Sequence, residues 1–138
     1  MKKDTLVTAA GRNPEANFGV VNPPVYHAST ITFSSLKEFQ TRDQSPYGKI
    51  PQYGRSGTPT QFAFEEAISA LHGGNYTVAY PSGLAALAGA ALAFLESGDH
   101  VLMSDSVYGP SRVRVSGTML ARAGIETSFY DPAIGESI

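Results

Sequence analysis

The chain has 138 residues, 14 of them glycine and 9 proline, no cysteine, and a formal net charge of −2 from 10 basic and 12 acidic side chains. That length suits one compact domain rather than two, the lack of cysteine excludes disulfides, thiolate metal sites and cysteine nucleophiles, and the missing basic excess argues against nucleic acid or an anionic membrane surface as a partner. The longest apolar run, Leu84 to Leu95, is shorter than the ~20 residues of a membrane span, and no apolar signal segment follows Met1-Lys-Lys-Asp-Thr5, so a soluble cytoplasmic protein is expected.

Residues 1–57 read as an extended arm. With Pro59 they hold six of the nine prolines, and neither a helical nor a strand period persists. Pro23-Pro24, Pro46 and Pro51 break any long helix. A short helix is expected over 34–41, with Ser34 as cap and Leu36 and Phe39 three apart. Phe18, Tyr26, Phe33, Phe39, Tyr47 and Tyr53 are unusual in a solvated tail and favour an arm that orders against another surface.

Residues 58–138 read as α/β. Thr58-Pro59-Thr60-Gln61 is a helix start, with Thr58 as cap, proline at the first position and Gln61 closing a capping box. Phe64, Ala67, Ile68 and Leu71 form one apolar face, and Gly73-Gly74 end the helix. Tyr76–Tyr80 is β-branched and aromatic, hence a strand. Pro81-Ser82-Gly83 turns into a helix over Leu84–Ser97 that is apolar nearly all round and therefore buried. His100–Ser104 is a second strand, Gly109-Pro110 opens a third helix running to Gly124, and Ile125–Tyr130 is a third strand. Strands alternating with helices indicate a parallel, doubly wound sheet. The third strand would keep an open edge, so low stability of the chain alone is expected.

Three segments carry candidate chemistry. The first is Pro81-Ser82-Gly83-Leu84, between a strand end and a helix start, where open α/β sheets bind ligands. Free N–H groups and the helix dipole attract an anion, Gly83 allows close approach, and Ser82 either caps the helix or donates to a phosphate. The second is Asp105-Ser106-Val107-Tyr108-Gly109, after the next strand, where Tyr108 is either a surface tyrosine or a ring that covers a planar ligand. The third is Gln52 to Thr58, where Tyr53 and Arg55 lie two apart and point the same way if the segment is extended. Arg55 is either solvated or a bidentate anion ligand. Neither G-x-x-x-x-G-K-[ST] nor G-x-G-x-x-G occurs, which excludes a P-loop and disfavours a nicotinamide dinucleotide. His27, His72 and His100 show no metal-ligand spacing. Ser82 is not in G-x-S-x-G. Glu65-Glu66 reads as a solvated helix face.

Taken in order, Val21-Asn-Pro-Pro-Val-Tyr-His-Ala-Ser-Thr30, Tyr53-Gly-Arg-Ser-Gly-Thr-Pro-Thr60, Tyr80-Pro-Ser-Gly-Leu-Ala-Ala86 and Ser104-Asp-Ser-Val-Tyr-Gly109 closely resemble the N-terminal part of the pyridoxal-phosphate-dependent enzymes of cysteine and methionine metabolism. The first two versions are most similar to those of the family's cystathionine β-lyases. The resemblance implies the aspartate aminotransferase fold type I, of which residues 58–138 would be the first part of the large domain. It implies pyridoxal 5'-phosphate as cofactor. Gly83 and Leu84 would give backbone N–H groups to its phosphate, with Ser82 beside them. Tyr108 would stack on its ring and handle a proton near the substrate amine. Tyr53 and Arg55 would reach the cofactor phosphate of a neighbouring subunit in a homotetramer of two catalytic dimers. The implied reaction is elimination from L-cystathionine to homocysteine, pyruvate and ammonia, within methionine biosynthesis.

The family's Schiff-base lysine, its ring-nitrogen aspartate and its carboxylate-binding arginine lie well downstream of these motifs. The only lysines here are Lys2, Lys3, Lys37 and Lys49, none in that context. The chain is therefore expected to be a truncated front segment that is inactive alone. Sister activities (γ-synthase, γ-lyase, sulfhydrylase) and a non-catalytic module that binds phosphate or a sister subunit remain open on the sequence.

Overall fold

The computed structural model describes residues 2–42 and 48–137, so the expectations placed on Pro46 and Tyr47 lie outside the described residues. Two units divide between Ala79 and Tyr80.

In the first unit, α1 (Lys3–Ala9) packs on α3 (Pro59–His72). Gly11 closes the approach: it sits at φ +72°, and a Cβ there would come 2.2 Å from the Ala63 carbonyl oxygen. The Thr60 hydroxyl donates to the Pro24 carbonyl at 2.8 Å and accepts the Tyr26 N–H at 2.8 Å, which pins the Pro23–Tyr26 stretch to the start of α3. Pro59 occupies the first helical position and Gly73 the left-handed C-cap, as the sequence predicts.

The capping box does not form. Thr58 makes no side-chain cap bond, and the Gln61 amide donates instead to Glu65 Oε1 at 2.9 Å. Glu65 is not simply solvated either, because it also accepts the Ala79 N–H at 3.1 Å. Ser69 and Thr77 hydroxyls meet at 2.7 Å. These bonds hold residues 76–79 beside α3 as irregular backbone. The predicted strand over Tyr76–Tyr80 is absent, because no neighbouring strand among the described residues completes its ladder.

α2 (Leu36–Thr41) starts one residue later than expected. Ser35 is the cap and accepts the Glu38 N–H at 3.1 Å. Ser34 instead donates its N–H and hydroxyl to the Glu38 carboxylate, which holds that carboxyl below its ordinary pKa. Phe33 and Phe39 meet edge to face at 5.4 Å, and Arg42 covers Phe39.

The second unit holds α4 (Gly83–Leu92), β1 (His100–Ser104), α5 (Ser111–Leu120) and β2 (Glu126–Tyr130). β1 and β2 pair in parallel, from His100 with Glu126 to Ser104 with Tyr130. Ala88 of α4, Val115 and Leu120 of α5, and Ile125 form the buried core, with Ala91, Leu95 and Val101 packed against it. Gly98 N–H bonds the Gly124 carbonyl and Glu126 N–H the Asp99 carbonyl, both at 2.9 Å, which sets the register.

Two expectations are corrected here. α4 ends at Leu92 rather than Ser97, and only Ala88 on it is buried. Leu84, Leu87, Leu92 and Phe94 stay exposed, since α5 covers one side of α4 and an all-round apolar helix needs neighbours on every side. α5 is wound as a π-helix rather than an α-helix. Its buried residues Ser111, Val115, Ser116 and Leu120 recur at i, i+4, i+5 and i+9, and the Thr118 hydroxyl bonds the Val113 carbonyl five residues back.

Leu120 is 1% exposed. Leu120→Ala is expected to lower the stability of this unit by about 2–5 kcal/mol, seen as a lower urea midpoint at unchanged slope.

Candidate functional site

The first turn of α4 is built to present unpaired donors. Tyr80 lies across the helix at Gly89, where a Cβ would come 2.5 Å from the tyrosine oxygen. Pro81 then turns the chain into Ser82, which is extended (φ −159°, ψ 158°) and caps the helix by accepting the Ala85 N–H at 3.1 Å. The Ala86 N–H reaches the Ser82 carbonyl at 3.0 Å. The N–H groups of Gly83 and Leu84 are left, with no acceptor in the helix. The Ser82 hydroxyl, used as an acceptor, keeps its proton to donate. Three donors thus converge at the positive end of the helix dipole.

Gly83 sharpens the point. Its φ lies outside the left-handed region, and a Cβ on it would meet no atom within 4 Å. Neither backbone strain nor packing asks for glycine there. The open space there leaves the backbone accessible to an anion such as a phosphate.

Tyr108 follows β1 and is 70% exposed. Its carbonyl accepts the N–H groups of Ser111 at 2.8 Å and Arg112 at 3.2 Å, so it stands at the threshold of α5. The loop before it is fixed by Asp105 N–H on the Tyr130 carbonyl at 2.8 Å and Val107 N–H on the Ser104 carbonyl at 3.1 Å. Arg112 pairs with the Asp105 carboxylate and stacks 4.0 Å from the Phe129 ring centre. Both partners of the ion pair are half-exposed, so it adds at most about 1 kcal/mol to stability. Sequence reasoning missed this clamp, because Asp105, Arg112 and Phe129 come together only once both strands and α5 are in place.

Tyr53 and Arg55 belong to the first unit, and Ser82, Gly83, Leu84 and Tyr108 to the second. Tyr53 forms an isolated antiparallel bridge with Thr30, and Gly54 N–H bonds the Ser29 carbonyl at 2.7 Å. The segment is not extended through Arg55, since Gly54–Ser56 turn as a 3-10 helix. The turn still gathers the pair: the Arg55 guanidinium lies 5.7 Å from the Tyr53 ring centre, and both residues are exposed.

A sequence model of the Cys/Met metabolism PLP-dependent enzymes matches residues 4–138. Cystathionine beta-lyase MetC of Escherichia coli is 41% identical over 99% of the chain. An L-alanine/L-glutamate racemase of Wolbachia pipientis is 37% identical over 96% of it. These alignments cover 34% and 35% of the two relatives, so the chain spans about a third of their length. The crystal structure of cystathionine gamma-lyase from Lactobacillus plantarum complexed with L-serine superposes with a TM-score of 0.77 at 27% identity, over 95% of this chain and 32% of that one.

Gly83→Pro tests the donor pair. Proline suits the first helical position, and the extended Ser82 before it accommodates the ring. The substitution removes one N–H while leaving α4 intact by far-ultraviolet circular dichroism. Affinity for a phosphate-bearing cofactor is expected to fall about ten- to hundredfold, with binding of the dephosphorylated analogue unchanged.

Proposed function

Because the chain belongs to the Cys/Met metabolism PLP-dependent enzyme family, we propose that it forms the cofactor-facing front of a carbon–sulfur lyase of the cystathionine β-lyase type. What supports this reading is the donor pair at Gly83 and Leu84, which has no acceptor among the described residues, together with 41% identity to a curated cystathionine beta-lyase. The substrate is L-cystathionine and the products homocysteine, pyruvate and ammonia.

The backbone N–H groups of Gly83 and Leu84 and the Ser82 hydroxyl would hold the cofactor phosphate. Tyr108 covers one face of the ring, excludes water there, and holds a proton at its phenol oxygen for exchange with the substrate amine. Tyr53 and Arg55 complete the phosphate site of a neighbouring subunit in a homo-oligomer, Arg55 by a charge-assisted bond. Pyridoxal phosphate, when bound, supplies the electron-withdrawing ring that carbon–sulfur cleavage requires.

The four lysines all precede α3, so the 138-residue chain by itself is expected to release no pyruvate from L-cystathionine. In a protein of the relatives' full length that carries this segment, pyruvate is the expected product. 2-Oxobutyrate from the same substrate would instead assign it to the γ-lyases. Arg55→Ala and Tyr108→Ala are each expected to lose most activity. Mixing the two under subunit exchange should restore it, through dimers with one intact site. No restoration would place Arg55 in its own subunit's site and overturn the intersubunit assignment.

A further inference from the structure

We propose that Arg112 is a positioning residue for Tyr108, holding the loop that presents the ring to the cofactor. The proposal rests on the reading of Tyr108 as the residue that covers the cofactor ring.

The Tyr108 side chain is exposed, and its phenol makes no hydrogen bond among the described residues. Whatever fixes the ring therefore acts through the main chain. The loop from Ser104 to Ser111 is secured at its start by Asp105 N–H on Tyr130 and at its end by the Tyr108 carbonyl, which receives the Ser111 and Arg112 N–H groups. Arg112 touches both ends, the first through its side chain and the second through its backbone N–H.

Its backbone N–H donates to the Tyr108 carbonyl at 3.2 Å. Its guanidinium donates to the Asp105 carbonyl, also at 3.2 Å, and to the Asp105 carboxylate. The same guanidinium plane stacks on Phe129 of β2 at 4.0 Å. The side chain thus references two points, the loop entry at Asp105 and the neighbouring strand at Phe129, while the backbone N–H of the same residue holds the carbonyl of the residue that carries the ring. The guanidinium suits that task, because one Nη meets carbonyl and carboxylate together while the group lies over an aromatic ring. Lysine offers the charge without the planar group that lies over Phe129. An exposed pair of this kind contributes little to overall stability, so its work is geometric.

The test uses the cofactor-loaded protein that carries this segment. Its readouts are the visible circular dichroism of the bound cofactor, which senses the asymmetry around the ring, and the cofactor dissociation constant. Arg112→Met is expected to reduce the dichroic band at least twofold and to raise the dissociation constant about tenfold. Arg112→Lys should fall between that variant and the wild type. The unfolding midpoint of the cofactor-free protein should stay within a few degrees, which a merely structural role would not permit.

Tyr108→Ala separates the two levels of the argument. If it changes the dichroic band and Arg112→Met does not, the positioning role is overturned while the reading of Tyr108 survives. If Tyr108→Ala leaves the band unchanged, that reading fails and the proposal fails with it. Should Arg112→Met not fold, Asp105→Asn decides. It keeps the loop carbonyl and an acceptor oxygen but removes the charge. A weakened band supports the proposal, and an unchanged one overturns it.

Discussion

An α-helix cannot satisfy its own first N–H groups, and the second unit is organised around that deficit. The Ser82 side chain answers the orphan group at Ala85, and Ala86 is the first to find an ordinary helical partner, the Ser82 carbonyl. Gly83 and Leu84 keep theirs. The neighbouring features follow from keeping those two open. Tyr80 needs the gap at Gly89 to lie flat on the helix, Pro81 turns the chain, and Ala85 and Ala86 keep the first turn free of bulk. A side chain reaching back to bond these groups would make a better-capped helix and leave no free donor there.

Gly54, Gly57 and Gly83 differ in what surrounds them. Gly54 is demanded by packing, since a Cβ there would sit 1.7 Å from the Ala28 carbonyl oxygen and break the bridge between Thr30 and Tyr53. Gly57 is demanded twice, by φ +122° and by the Phe62 ring 2.3 Å from where a Cβ would stand. Gly83 is demanded by neither. Gly54 and Gly57 thus mark where the chain touches itself, whereas Gly83 borders open space.

Local signals were legible and non-local ones were not. Pro59 and Gly73 bound α3, Ser82 caps α4, and β1 and β2 pair in parallel, all as the residues suggest. Each depends on a few consecutive side chains. The failures share the opposite property. Gln61 turns to Glu65 rather than to a capping box because Glu65 is anchored to Ala79, fourteen residues on. Residues 76–80 have strand composition but no ladder partner among the described residues. The π winding of α5 follows from which of its residues the core accepts, a choice invisible to a search at the α-helical period. At the site, the Ser82–Leu84 turn was readable as a motif. The grip of Arg112 was not, since it joins a loop, a helix and a strand.

The parallel pairing also has a kinetic side. Parallel strands need a long crossover, and such contacts are slow to form when they are far apart in sequence. Here β1, α5 and β2 all fall between His100 and Tyr130, so the loop to be closed is short and its entropy cost modest. On a ribosome adding about 5–20 residues per second, this strand–helix–strand pairing has time to form soon after Tyr130 clears the exit tunnel. The platform that carries Tyr108 would then be an early folding event, formed while the apolar face of α4 is still exposed.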